Sequence, residues 1–163
     1  MDDRSGYTMS NPFWDFSLAT YQLEGLATRC LALQDSYGLD INLLLYAAWL
    51  ASMDQRLSVG HLAAVEEAIA DWRDTVIKPL RELRRLWHDY PEATGLYNAI
   101  KALELRAEEQ QQDRMFACFQ QAGDLPRAPR PLRENLWQVA HVGCAGGPGW
   151  EPFIDDLVTR FPQ

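Results

Sequence analysis

Residues 62–87 read LAAVEEAIADWRDTVIKPLRELRRLW. Within them Leu62, Val65, Ile69, Trp72, Val76, Leu80, Leu83 and Trp87 recur every three or four residues, the spacing that lines one face of an α-helix. Strands alternate with period two, so this stretch decides for helix. Pro79 lies inside the stripe and removes a backbone donor, which predicts a kink or a split at that point. Tyr90-Pro91 stops the run. A matching stripe follows in Leu96, Ile100, Leu103 and Ala107, then Met115 and Phe119, with Glu108-Glu109-Gln110-Gln111-Gln112-Asp113 between them reading as polar all round. So short a connection makes the two segments neighbours, and a long antiparallel helical hairpin is expected.

The flanks use the same grammar. Asn11 caps a first helix with Pro12 at its first position, where a missing amide costs nothing; Phe13 to Tyr21 follow. A second helix runs from about Glu24 to Tyr37, with Leu26, Cys30, Leu33 and Tyr37 on one face, and Gly38 closes it in the left-handed conformation. Asp40 caps a third, Ile41 to Met53. Downstream, residues 125–131 read as a Pro-rich linker, Leu132 to Val142 as a short helix, residues 143–149 as a Gly-rich loop and Pro152 to Phe161 as a last turn or two. The expected fold is an all-α single-domain helical bundle of about six or seven helices over residues 11–163, after a flexible leader at residues 1–10 in which Met9 is an alternative start.

Composition bounds the function. The chain has 163 residues, enough for one core; hydrophobic residues are 47% and charged residues 23%, a globular balance. Lys+Arg is 15 against Asp+Glu 23, a net charge of -8 that repels nucleic acid and anionic membranes, so neither DNA nor a membrane is an expected partner. Cys30, Cys118 and Cys144 are odd in number and widely spaced, which implies no disulfide framework. The N-terminus lacks an apolar signal core, and the longest apolar run, Leu39 to Met53, contains Asp40 and Asn42 and is too short to span a bilayer. A cytoplasmic location is expected.

Several chemistries fail on their parts list. The turn at Gly38 has helix-turn-helix spacing, but the would-be reading helix, Asp40 to Tyr46, has no Arg or Lys for phosphates or guanine edges. His141 and Cys144 are the one metal-like spacing and supply two ligands where a structural zinc needs four, so no metal and no cofactor is expected. Cys144 beside a histidine and glycines is a thinkable nucleophile, yet it sits past a helix end, where the dipole disfavours a thiolate. Glu66-Glu67, Glu108-Glu109 and Asp155-Asp156 are neighbours in sequence and so point to different helix faces.

Three features survive. Asp15, Gln34, Asp35 and Asn42 interrupt apolar helices, either as a buried hydrogen-bond network that fixes their register or as the lining of a polar pocket. Phe13, Trp14, Phe16 and Tyr21 crowd the first helix on more than one face, to be covered by core or by a partner. Lys78, Arg81, Arg84 and Arg85 share a face opposite Leu80, Leu83 and Trp87, a solvated face or a docking patch for an acidic protein or RNA partner.

Taken together, Asn11-Pro12-Phe13-Trp14-Asp15-Phe16-Ser17 with Tyr21, Cys30-Leu31-Ala32-Leu33-Gln34-Asp35, Gly38-Leu39-Asp40-Ile41-Asn42-Leu43-Leu44-Leu45-Tyr46 and Trp49-Leu50 make a recognisable wording. The chain resembles a proteobacterial family of short conserved hypothetical proteins catalogued as a domain of unknown function. The likeness is specific over the first third, continues loosely through Trp72 and Arg81 to Arg85, and fades beyond the proline linker. It implies a bacterial cytosolic protein and carries no activity, cofactor or catalytic residue. Its centre, the aromatic first helix and the Gln34-Asp35/Asp40-Asn42 corner, keeps that corner in view as a site.

The first functional expectation is a non-catalytic helical adaptor or regulatory protein that meets a protein partner through Phe13, Trp14 and Phe16 and through Lys78, Arg81, Arg84 and Arg85. The alternative is a small-molecule binder or enzyme with a polar pocket near Asp15, Gln34, Asp35 and Asn42. Homodimerisation through the long helical pair is a third option.

Overall fold

The third helix organises the molecule. In the computed structural model, which describes residues 11–144 and 147–162, α3 (Ile41–Ser52) carries nine consecutive buried residues from Asn42 to Leu50. A helix apolar all round needs cover on every side. Around it lie α1 (Pro12–Tyr21), α2 (Leu26–Tyr37), α6 (Thr94–Ala122) and α7 (Leu132–Gly143), all of which contact it. Phe13, Tyr46, Trp49, Phe116 and Phe119 form an aromatic cluster at this centre, with Trp49 and Phe119 edge to face at 4.8 Å. The last helix, α8 (Glu151–Val158), closes the bundle against α2 and α7.

Capping chemistry sets the helix ends as expected. Asn11 Oδ1 accepts from the amides of Phe13 and Trp14 at 2.9 and 3.2 Å, and Asp40 Oδ1 accepts from that of Asn42 at 2.8 Å. Gly38 takes φ +69°, and its amide donates to the Gln34 carbonyl. The chain therefore reverses between α2 and α3 within Gly38 to Asp40, which puts Gln34, Asp35, Asp40 and Asn42 at one corner.

The hairpin is present, and Pro79 neither ends nor splits its first arm. Helix α4 (Val59–Trp72) passes through a π-helical turn at Arg73–Ile77 into α5 (Lys78–His88), and every residue at the two junctions keeps helical dihedrals. The widened turn, in which the Lys78 amide donates to the Arg73 carbonyl five residues back, lies directly before the ring that would otherwise crowd the preceding carbonyls. Counting α4 to α5 as one rod, the described residues hold seven α-helical rods and no strand. After a single 3-10 turn at Pro91–Ala93 the chain returns as α6, packed against both arms.

The polar face of α6 differs from expectation. Leu96 and Leu103, placed in the buried stripe, are exposed, whereas Glu104, Gln111 and Gln112 are buried. The buried positions Ile100, Glu104, Ala107, Gln111 and Met115 keep helical spacing, so the face is continuous; its chemistry is what changes, because arginines of α5 meet it at this height. The Pro-rich segment is likewise fixed at both ends: Arg56 donates its amide to the Pro126 carbonyl at 2.7 Å, Ala128 to that of Asp54 at 3.0 Å, and Leu125 is buried. Residues 145 and 146 of the Gly-rich loop, and the leader at 1–10, lie outside the described residues.

Among the described residues no helix is long and apolar enough to cross a membrane.

Candidate functional site

The α2–α3 corner faces the π turn across a cleft of about 860 Å³. Gln34, Asp35, Asp40 and Asn42 line it from the corner, Glu66, Arg73, Lys78, Arg81 and Arg85 from the α4–α5 rod, Gln111 from α6, and Val139 and Val142 from α7. Its volume is in the range of small-molecule pockets. The apolar lining comes from Leu39, Leu43, Leu62 and Ile77, all buried, with Val59 and Val142 exposed among the lining residues.

The charges are arranged in pairs. Arg73, aimed by the π turn, makes a forked contact to Glu66 (Nη1–Oε2 3.0 Å, Nη2–Oε1 2.6 Å) and reaches Asp40 Oδ2 at 3.5 Å. The Glu66 hydrogen bond, then Asp40 and Asp74 nearby, raise its pKa against the opposing effect of burial, so the guanidinium stays charged. Asp40 thus serves twice: one oxygen caps α3, the other accepts from Arg73 and from Gln111 Nε2 at 2.9 Å. Beside it, Ser17 donates to Gln112 Oε1 at 2.9 Å and Gln112 Nε2 donates to Asn42 Oδ1 at 3.0 Å, which ties α1, α6 and α3 together. Gln111 is 1% exposed, and its Oε1 accepts a hydrogen bond from nothing among the described residues.

The middle of the basic stretch, Arg81 and Arg84, turns inward, while Lys78 and Arg85 stay exposed. Arg81 Nε donates to Glu104 Oε1 at 3.3 Å and its Nη2 to Glu108 at 3.4 Å; the Gln34 amide, with its oxygen toward the guanidinium, accepts from the same Nη2 at 3.2 Å. Arg84 binds the other Glu104 oxygen, Arg85 pairs with Asp35 at 3.1 Å, and Lys78 with Asp74 at 2.7 Å. Each member of the quartet expected on a docking face has a carboxylate partner: α6 supplies those of Arg81 and Arg84, Asp74 of the π turn that of Lys78, and Asp35 of α2 that of Arg85.

Glu108 is the titrating group of this cluster. Burial first, then the charges of Glu104 and Asp40, push its pKa up from 4.5 to about 7 against the pull of Arg81. Tyr21 is pushed up to about 12, by burial and then by Cys30 and Glu108, and Cys30 to about 12 by burial, so both stay protonated at neutral pH. Because the folded pKa of Glu108 is the higher one, the stability it contributes is complete below about 4.5 and lost as pH rises through about 7. Glu108→Gln is therefore expected to match the wild type near pH 4.5 and to exceed it by roughly 1–2 kcal/mol at pH 8. Urea unfolding at both pH values checks this; a difference that does not change with pH would remove Glu108 as the cause.

The other expected site residues scatter. Asp15 is exposed on α1 and is not among the residues lining the cleft. Phe13 is fully buried against Tyr46 and Trp49, while Trp14 and Phe16 are half-buried, so the aromatic helix spends its first ring on the protein's own core. Cys144 is half-buried, and burial and Glu151 push its thiol pKa up, away from a nucleophile. Among the described residues no group of three His, Cys, Asp or Glu is placed to hold a metal. Sequence reasoning missed Glu66, Arg73, Glu104, Glu108, Gln111 and Gln112; the usable signal was phase, since Glu104 and Gln111 continue the stripe of Ile100, Ala107 and Met115.

Comparison with known proteins adds one match. A family model described as a protein of unknown function (DUF2390) matches residues 12–115, a span from the start of α1 into α6 that supplies all of the cleft except its α7 wall. No curated protein and no solved structure matches the chain.

Proposed function

We propose that this chain, which belongs to the DUF2390 family of proteins of unknown function, is a small-molecule-binding module whose site is the cleft between the α2–α3 corner and the α4–α5 rod. The observation that carries the reading is the cleft itself: a volume of about 860 Å³ in which polar Gln34, Asp35, Asn42 and Gln111 stand among apolar Leu39, Leu43, Leu62 and Ile77. Gln34, Asp35 and Asn42 of the expected polar pocket are part of the same lining. Three cysteines without a disulfide support a reducing cytoplasm as the place of action.

The test is extraction. Protein purified from its native cells, denatured and analysed by mass spectrometry, is expected to release a small molecule in stoichiometric amount. Ala63→Trp, which adds bulk at an exposed lining position, should purify folded and empty. Equal yields from both proteins, or nothing from either, would overturn the reading.

A second reading keeps the adaptor. Leu83 and Leu86 on α5, Tyr90 just after it, and Leu96, Leu103 and Leu105 on α6 are exposed, and α5 buries no residue at all. Exposed apolar side chains of this density favour a protein contact, a second copy included, at the hairpin and not at the arginines. Light scattering of the purified protein distinguishes a dimer from a monomer.

A further inference from the structure

Resting on the hairpin reading above and independent of the cleft, we infer that the α5–α6 hairpin pairs face to face with that of a second copy, each α6 antiparallel to its twin. Two chains then share a four-helix bundle. The hairpin has two sides. Lys78, Arg81, Glu82 and Arg85 line the cleft, and Leu80, Leu83, Leu86 and Trp87 do not. On the far side Trp72 donates its indole N–H to the Ala107 carbonyl at 2.9 Å and carries the Arg114 guanidinium over its ring. That contact sets the helical row of Trp72, Leu80, Leu83 and Trp87 beside the row of Leu96, Ile100, Leu103 and Ala107. The result is one apolar face built from both helices, on which Leu83, Tyr90, Leu96 and Leu103 are 38–56% exposed.

Charge says which occupant fits. Glu92 precedes Leu96 by four residues and Arg106 follows Leu103 by three. Both are exposed, and neither has an ion-pair partner among the described residues. When Leu96 of each copy lies against Leu103 of the other, Glu92 comes level with Arg106 of the second copy to within about one residue, and the two-fold axis makes every such contact twice. Ala99, exposed between the leucines, lets the two helices approach. The rungs Arg84–Glu104 and His88–Tyr97 fix the level of α5 against α6, and on that level the same axis sets Leu83 against Tyr90 of the second copy. Leucines at the centre and opposite charges at the two ends make the face complementary to itself. It runs about 16 Å along α5, further along α6, and about 20 Å across both helices, the low end of specific interfaces.

Sedimentation equilibrium of the intact chain tests this in about 0.15 M salt, which screens the repulsion between two chains of net charge -8. A monomer–dimer equilibrium with a Kd on the order of 10–100 μM is expected. Leu103→Glu, at an exposed position, should keep the helical circular dichroism and the Tm while weakening the dimer more than about 100-fold. Glu92→Arg and Arg106→Glu should each weaken it about five- to tenfold, and the two together should return it to within about twofold of the wild type, because the pairs re-form with signs exchanged. Ala63→Trp, in the cleft, should dimerise as the wild type does, whatever the extraction experiment finds. A monomer at every concentration up to about 500 μM would overturn the second copy and leave the hairpin to a different protein. A dimer indifferent to Leu103→Glu would overturn the face, and charge reversals that do not rescue each other would overturn the antiparallel pairing.

Discussion

Asn135→Leu is expected to lower the free energy of unfolding by about 3–4 kcal/mol. Asn135 is fully buried on α7. Its Oδ1 accepts from the Leu57 amide at 2.8 Å, and its Nδ2 donates to the carbonyls of Gln55 at 2.9 Å and Ala47 at 3.2 Å. One side chain thus stands in for the missing backbone partners of the loop between α3 and α4. Leucine keeps the branched outline and opens no cavity, so the loss combines the three hydrogen bonds with some overpacking by its bulkier methyls. Urea unfolding with an unchanged slope checks the value; a loss under 1 kcal/mol would mean that water serves those groups instead.

Glu104→Gln is expected to cost roughly 3 kcal/mol by a different route. The glutamate is 7% exposed and holds Arg81 and Arg84, so its neutralisation strands Arg84 and leaves Arg81 with Glu108 as its one carboxylate, both guanidiniums being mostly removed from water. The penalty belongs to the cations left behind, and replacing all three should therefore relieve it. Arg81→Met and Arg84→Met combined with Glu104→Leu is expected to recover most of the wild-type stability. If the triple variant stays as unstable as the single one, the cluster contributes net stability in its own right.

These two positions also mark how far the sequence is legible. Helix ends were readable because caps are local: Asn11, Gly38 and Asp40 act on amides or carbonyls within four residues, and nothing distant competes with them. The burial of α3 was readable because the eight apolar or aromatic residues from Leu43 to Leu50 leave no polar face. Glu104 and Gln111 were not, because a buried ion cluster and a solvated helix face are written with the same residues. Hydropathy assigned them to water, while their phase along α6 assigned them to the core, and phase was the better guide. Of the pocket, Gln34, Asp35 and Asn42 could be found as polar interruptions; Arg73 could not, since only the π turn aims it. Asn135 had no such mark, being one asparagine in a short amphipathic helix.

The wide turn at Arg73–Ile77 also sets an angle. Each residue of an α-helix advances about 100° around the axis, so a turn that houses one residue more delays everything after it by that amount. Upstream, Leu62, Val65 and Ile69 point into the bundle; downstream, Arg81 and Arg84 point at Glu104, and both are correct only because of the offset. A chain that lost a single residue between Arg73 and Ile77 would keep its helix, its composition and its hydropathy, and would rotate one wall of the cleft away from the other.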